Sequence, residues 1–385
     1  MVPQEDACPG HGHYGLPDGA AARARRTPPE VEQGMRAARR PQGPVGLDAV
    51  DLLAARAMRS GRRIGLVIGC LAGGEQRVAG YGRLRSDAPD PPDGATIFEI
   101  GSVTKVFTGL LLADLAEHGI VGLDDPLAGY LPAAARAPTF GGQQITLGDL
   151  ASHAGGLRRD PKGTLRRWLR DRRNPYAELS VEELYDSLAQ SRLRRRPGER
   201  VKYSNLGAGL LGDALARAAG QPYETLVRER ICRPLGMVDT LVSPSLEQAA
   251  RLALGHTRRG RPVPRFQIPA LAGAGALRST ATDMLRFLEA NLDPASTPLA
   301  AQLERIQQPR HRMGRRMEVG LGWLIFRPPD QAGPVLWHNG GTNGFHSFVA
   351  DARETNTAVV VLSNTARSVD RLGLRLLKAL GNSVS

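Results

Sequence analysis

The chain has 385 residues, of which 41% are hydrophobic and 23% charged, and its formal net charge is +13. That is enough for one large two-lobed enzyme or about two to three ordinary domains, and no apolar run approaches the roughly 20 residues of a membrane-spanning helix. The positive surplus is arginine scattered along the chain, with lysine only at 105, 162, 202 and 378; with no zinc-finger, basic-helix or RNA-recognition pattern beside it, it points to no nucleic-acid partner.

Residues 1–45 are rich in Pro, Gly, Ala and Arg and poor in large apolar side chains. Such a composition cannot offset the entropy of ordering, so a disordered tail is expected there. The opening MVPQEDACPGHGHYG has no basic stretch followed by an apolar one, so no secretory signal peptide is read and the cytoplasm is the expected compartment, with export left open. Cys8, Cys70 and Cys232 are odd in number, far apart and free of any C-x-x-C pair, which excludes a zinc ribbon, a thioredoxin-type site and a disulfide-dense scaffold.

From Leu47, the segment LDAVDLLAARAMR sets Leu47, Val50, Leu53 and Met58 at helical spacing. RRIGLVIGCLAGG and EQRVAGYGRL then read as two strands around Gly73-Gly74-Glu75-Gln76, a hairpin signal. After a Pro/Asp loop, SVTKVFTGLLLADLAEHG presents a broad apolar helix face ending at Gly119. Further helices are predicted at 147–152, 181–190, 206–219, 223–231 and 280–291. Strand character returns in VLWHNGG, FHSFVADA and TAVVVLSNT, and an amphipathic helix follows from Val369 to Leu380.

This order predicts an α/β plus α fold: one antiparallel sheet of strands from both ends of the chain, flanked by helices, with a large helical lobe. Residues 46–385 are then a single unit, with a sheet lobe from 46–100 and about 300–385 and a helical lobe from about 101–300.

Three motifs carry chemistry. Ser102-Val103-Thr104-Lys105 opens an apolar helix, and a spacing of three places the amine one turn from the hydroxyl. A lysine can give up its proton where an arginine cannot, so the pair reads as nucleophile and base. Alone it reads equally as a serine cap followed by an exposed lysine. Tyr203-Ser204-Asn205 follows PGERVK and precedes a helix of small residues; the phenol and the amide can face one cleft as proton carrier and anchor, or serve as a packed ring and a helix cap. His338-Asn339-Gly340-Gly341-Thr342-Asn343-Gly344-Phe345 follows the strand VLW, where glycines permit close approach and an edge N–H can serve an oxyanion, or simply form a turn. Gly207-Ala208-Gly209-Leu210-Leu211-Gly212 matches G-x-G-x-x-G but lacks the preceding strand and acidic partner of a dinucleotide site, so helix packing accounts for it better. No P-loop, G-x-S-x-G or H-E-x-x-H is present.

Taken in order, S-x-x-K, Y-x-N and a late basic residue with glycines resemble the serine β-lactamase and penicillin-binding-protein superfamily. FEIGSVTKVFTGLLLADL, LGDLASHAGGL, RPGERVKYSNLG, ICRPLGM, ALRSTATDMLRFL and HNGGTNGF are similar to the class C β-lactamase-related hydrolases, a branch with D-alanyl-D-alanine carboxypeptidases, D-aminopeptidases and esterases. The resemblance implies an active site between the lobes and no cofactor or metal. It makes Ser102 the nucleophile and gives the proton traffic to Lys105 and Tyr203. Asn205 would hold Lys105 and the substrate amide, and the backbone N–H groups of Ser102 and Gly341 would form the oxyanion hole. His338 would polarise Tyr203 or meet a substrate carboxylate, and Asn205, Asn339, Gly340, Gly341 and Asn343 would bind substrate. His153 would pack beneath the cleft.

The expected substrate is a small molecule or peptide; the basic stretches 158–173 and 192–202 would rim the cleft and recruit carboxylate-bearing ones, or equally be arginine-rich solvated faces. Where the class C enzymes have Lys-Thr-Gly, this chain has His338-Asn339-Gly340. A histidine of unperturbed pKa, about 6.5, is mostly uncharged at neutral pH. Peptidase or esterase chemistry is therefore expected ahead of strong β-lactamase activity, and carboxylate binding is expected to decline as pH rises through that value. The same acyl-serine would also serve an acyltransferase or peptide cyclase, and a silent penicillin-binding-like sensor is the non-enzymatic alternative. The sequence leaves oligomeric state open.

Overall fold

The computed structural model describes residues 48–381 apart from 60, 87–89, 173 and 330–332; the tail expected at 1–45, with Cys8, lies outside the described residues. Helix α1 (Asp48–Met58) precedes the hairpin of β1 (Gly65–Ala72) and β2 (Glu75–Gly82), which Gly73 and Gly74 close with φ of 59° and 83°. A two-residue turn matching the twist of its strands needs positive φ at both positions, which glycine supplies. A short pair, β3 (Phe98–Glu99) and β4 (Arg278–Ser279), brackets the helical block. Between them run α2 (Thr104–Glu117), α3 (Leu147–Ala151), α4 (Thr164–Arg170), α5 (Val181–Ala189), α6 (Asn205–Ala219), α7 (Tyr223–Val227), α8 (Leu246–Ala250) and α9 (Ala272–Gly275). Helices α10 (Ala281–Leu292) and α11 (Ala300–Gln307) lead back to the sheet.

The remaining strands are β5 (His311–Arg312), β6 (Met317–Val319), β7 (Leu324–Phe326), β8 (Val335–Gly341), β9 (His346–Ala352) and β10 (Thr357–Ser363), and α12 (Asp370–Gly381) follows. Together they make an eight-stranded antiparallel sheet ordered β2-β1-β10-β9-β8-β7-β6-β5. The predicted sheet of strands from both ends of the chain is present, closed by β1 pairing with β10. The two- and three-residue strands β5 to β7 are additions to the reading; they are too short for alternation to show.

Both faces of the sheet are covered, so β10 is buried at all seven positions. One face sets Leu66, Ile68, Phe348, Val359, Val361 and Trp337 against Val50 of α1 and Leu376 and Leu380 of α12. The other sets Val67, Leu71, Val349, Val360 and Leu362 against the helical block, Phe107 and Leu110 of α2 and Leu285 and Leu288 of α10 among them. Burial at about 25 cal/mol per Å² makes this two-sided core the main cohesive term. Glycines set the closest helix approach: a Cβ on Gly212 of α6 would lie 2.9 Å from the Gly273 Cα, and one on Gly209 would lie 2.4 Å from Leu271. The G-x-G-x-x-G run is therefore a packing surface for the segment leading into α9. Cys70 and Cys232 are buried free thiols. No helix among the described residues is long and apolar enough to cross a membrane.

Candidate active site

The residues of the S-x-x-K motif do not share one α-helix. Gly101–Val103 is a 3₁₀ turn and α2 begins at Thr104. Residues at i and i+3 eclipse in 3₁₀ geometry, and Lys105 Nζ lies 2.9 Å from Ser102 Oγ. Lys105 is 3% exposed, and its second partner is the Ala274 carbonyl at 2.6 Å. That carbonyl belongs to a segment strapped along α2, with Leu277 N donating to Thr104 Oγ1 and Thr108 Oγ1 donating to Gly273 O. Burial lowers the Lys105 pKa and the Arg159 charge adds to this, while the Tyr203 phenol and Asp160 oppose it. A buried amine beside a half-buried hydroxyl can take that hydroxyl's proton.

Tyr203 stands over the pair, with its ring centroid 4.9 Å from Lys105 Nζ. His153 packs on the ring at 4.4 Å, and His338 lies on the strand side at 6.5 Å. His153 holds φ of 58°, an unusual conformation for a non-glycine residue, and its Nδ1 accepts the Ser204 N–H at 3.3 Å. Its pKa is lowered well below 6.5 by burial and then by Lys105 and His338, so it is neutral. Ser204 rather than Asn205 caps α6, its Oγ accepting the Gly207 N–H at 2.9 Å.

The third segment meets the first through its glycines. β8 pairs with β7 only over 335–337 but with β9 as far as Gly341. Residues 338–341 thus have one edge free for the Ser102 turn. A Cβ on Gly340 would lie 1.9 Å from the Ile100 carbonyl, and one on Gly101, at φ of 51°, would lie 2.8 Å from Gly341 N. Only glycine permits this approach. Thr342 Oγ1 donates to Glu99 Oε2 at 2.7 Å, and Phe266 N donates to Oε1 at 2.7 Å, which ties the loop after β8 to the strand before Ser102. Nothing in the sequence motifs singled out Glu99; burial raises its carboxyl pKa despite these partners.

Three expectations need correcting. Asn205 does not hold Lys105: its Nδ2 donates to Asp160 Oδ1 at 2.7 Å, and Asp160 also accepts from the Tyr176 hydroxyl at 3.0 Å. Asn339 does not face the cleft, because strand alternation turns it to the opposite side of the sheet from His338, where its Nδ2 donates to Asp370 at 3.1 Å. Asn343 Nδ2 donates to the Arg172 carbonyl at 3.4 Å. His338 is not a titrating carboxylate anchor. It is 1% exposed, and its pKa is lowered to about 3, first by burial and then by Lys105, although the bond to the Asn339 carbonyl opposes this. That carbonyl can only accept, so Nδ1 carries the proton, at 2.6 Å, and Nε2 is a bare acceptor without a hydrogen-bond partner among the described residues.

The Arg158–Asp160 segment reaches the cleft: Ser204 Oγ donates to Arg158 O, and Asn205 N and Leu206 N both donate to Arg159 O. Arg159 lies over Tyr203 with Cζ 5.1 Å from the ring centroid. A basic rim was legible in the sequence, but not which arginine would stand at the tyrosine.

Similarity to known proteins agrees with this geometry. The β-lactamase family model matches residues 50–382. The chain is 31% identical over 327 residues to the D-alanyl-D-alanine-carboxypeptidase/endopeptidase AmpH of Escherichia coli K12, covering 82% of this chain and 83% of that protein. It is 27% identical to a β-lactamase of Pseudomonas fluorescens, covering 78% and 88%. A β-lactamase/D-alanine carboxypeptidase from Yersinia pestis, solved with citrate, superposes with a TM-score of 0.77 at 27% identity, covering 88% of this chain and 98% of that one. The fold is thus shared with a solved relative, and this chain belongs to the β-lactamase family of serine hydrolases.

Proposed function

We propose that the protein hydrolyses peptide amides and esters through an acyl-enzyme on Ser102, as a peptidase or esterase ahead of a strong β-lactamase. The carrying observation is the 2.9 Å approach of Lys105 Nζ to Ser102 Oγ in a pocket that lowers the amine's pKa. Once neutral, the Lys105 amine keeps an N–H on the Ala274 carbonyl and turns its lone pair to the Ser102 hydroxyl. The serine proton moves to Nζ as Oγ bonds to the substrate carbonyl carbon, and the developing oxyanion faces the backbone N–H groups of Ser102 and Gly341. Collapse breaks the bond to the leaving amine or alkoxide, which takes its proton through Tyr203. Water then attacks the acyl-serine with the same groups reversing their roles.

His338 is the reason for ranking the substrates. A neutral acceptor here supplies no positive charge beside Tyr203, where a lysine would, and Asn339 is turned away from the cleft. The D-alanyl-D-alanine-carboxypeptidase activity named for AmpH, with the D-alanine carboxypeptidase named for the Yersinia pestis protein, makes a D-Ala-D-Ala peptide the first candidate. The test is intact-mass measurement after exposure to a penicillin, a D-Ala-D-Ala peptide and a p-nitrophenyl ester. We expect an acyl adduct on Ser102 with the ester and turnover of the peptide exceeding that of the penicillin. An adduct that persists in Ser102→Ala overturns the mechanism, and efficient penicillin turnover overturns the ranking.

A further inference from the structure

A substrate carboxylate is held most strongly by a charge-assisted contact, and β8 supplies no cation beside Tyr203. His338 is uncharged, and Asn339 faces Asp370 on the far side of the sheet. Lys105 is buried and committed to Ser102 and Ala274.

Arg159 supplies that charge. Its backbone is pinned to the start of α6 by the two N–H groups of Asn205 and Leu206, so the side chain leaves a rigid base. Its guanidinium carbon stands 5.1 Å over the Tyr203 ring, and its side chain is 38% exposed. Asp160 reaches only the Nε edge, at 3.7 Å, and that carboxylate is already engaged by Asn205 and Tyr176. The Nη groups have no hydrogen bond among the described residues. Two buried polar atoms beside the same ring, His153 Nε2 and His338 Nε2, likewise have none. Among the described residues, Arg159 is thus the accessible cation that the structure sets over the Tyr203 ring, beside two histidines with unpartnered Nε2 atoms.

We propose that Arg159 is the specificity residue that binds a substrate carboxylate at the Tyr203 side of the cleft. This rests on the reading of Ser102 as the site of acylation. Guanidinium matches carboxylate in a two-point, charge-assisted contact. Arg159 also bears on Lys105 electrostatically, so its removal shifts acylation of any substrate, and the informative quantity is the preference for acid over neutral ligand.

The experiment measures equilibrium binding by calorimetry in the Ser102→Ala protein, where no turnover intervenes, with and without Arg159→Gln or Arg159→Lys. The ligands are N-acetyl-D-Ala-D-Ala, its C-terminal amide, and the N-glutaryl counterpart of that amide, which moves the carboxylate to the acyl side. Charge-assisted hydrogen bonds predict that Ser102→Ala prefers one of the two acids over the neutral amide and that Arg159→Gln lowers that preference about 10- to 100-fold. Arg159→Lys should restore part of it. The acid that loses affinity shows which end of the substrate the arginine meets. Equal affinity for acid and amide in the parent, or an acid preference untouched by Arg159→Gln, overturns the proposal. Neither result touches the role of Ser102, which fails separately if acylation survives in Ser102→Ala.

Discussion

Two cations face Tyr203 from nearly equal distances, Lys105 Nζ at 4.9 Å from the floor of the cleft and Arg159 Cζ at 5.1 Å from its rim. Their surroundings divide the work. The floor residue is 3% exposed, held by a serine and a backbone carbonyl, and burial pushes its amine toward the neutral form. The rim residue is 38% exposed, and a guanidinium keeps its charge at any working pH. A buried cation whose proton can leave is suited to be a base, and an exposed one whose proton cannot is suited to hold an anion. His338 extends the lesson, since complete burial makes a nominally basic residue a neutral acceptor.

The largest effect comes from giving the floor the rim's chemistry. Lys105→Arg keeps a cation beside Ser102 but cannot deprotonate, so acylation should fall about 10³-fold or more while the circular-dichroism melting curve stays cooperative. Near-normal acylation would mean that charge alone is needed there. Tyr203→Phe removes the phenol that both cations face. Loss of a general acid commonly costs about 10²- to 10⁴-fold, and the loss should be much larger for an amide than for a p-nitrophenyl ester, whose leaving group needs no proton. Equal losses on the two substrates would remove Tyr203 from proton delivery.

Gly340→Ala tests the frame that holds floor and strand together. Its Cβ would lie 1.9 Å from a backbone carbonyl that cannot swing aside, so overpacking of about 1–3 kcal/mol is expected, read as a Tm lower by several degrees with reduced acylation. An unchanged Tm would show that β8 does not bear on the Ser102 turn. The smallest expected effect is on pH dependence. The folded pKa of His338, about 3, lies below its ordinary 6.5, so it stays neutral from pH 5.5 to 8. The ratio of kcat/KM for a carboxylate peptide to that for a neutral ester should accordingly be flat over that range. A fall of the ratio through pH 6.5 would restore His338 as a charged anchor.

The sequence carried the local part of this site and missed the distant part. Ser102 and Lys105 were legible because their spacing is itself the geometry, and Tyr203 because it sits just ahead of a small-residue helix. Asn339 was misassigned because period-two alternation separates two faces without saying which borders the cleft, and here both faces of the sheet are buried. The Ala274 carbonyl was invisible, being main chain brought in from 169 residues away. Asp160 took Asn205 from its expected partner, a pairing across 45 residues that no local pattern encodes. The protonation of His338 depends on burial by the whole fold. The hairpin and β8 to β10 were readable from their runs and turns, whereas β5 to β7 exist only through pairing with a longer strand.

The central claim is that the fold makes Lys105 a base for Ser102, and the rate of acylation by a neutral fluorophosphonate as a function of pH, with the adduct located by peptide mapping, tests it most directly. A folded pKa below the ordinary lysine value of 10.5 means that the reactive, deprotonated amine accumulates at lower pH. A label on Ser102 is expected whose rate rises and then levels off below pH 10.5, with both label and rise lost in Lys105→Arg. A rate still climbing through pH 10.5, an adduct on another residue, or undiminished labelling of Lys105→Arg would contradict it.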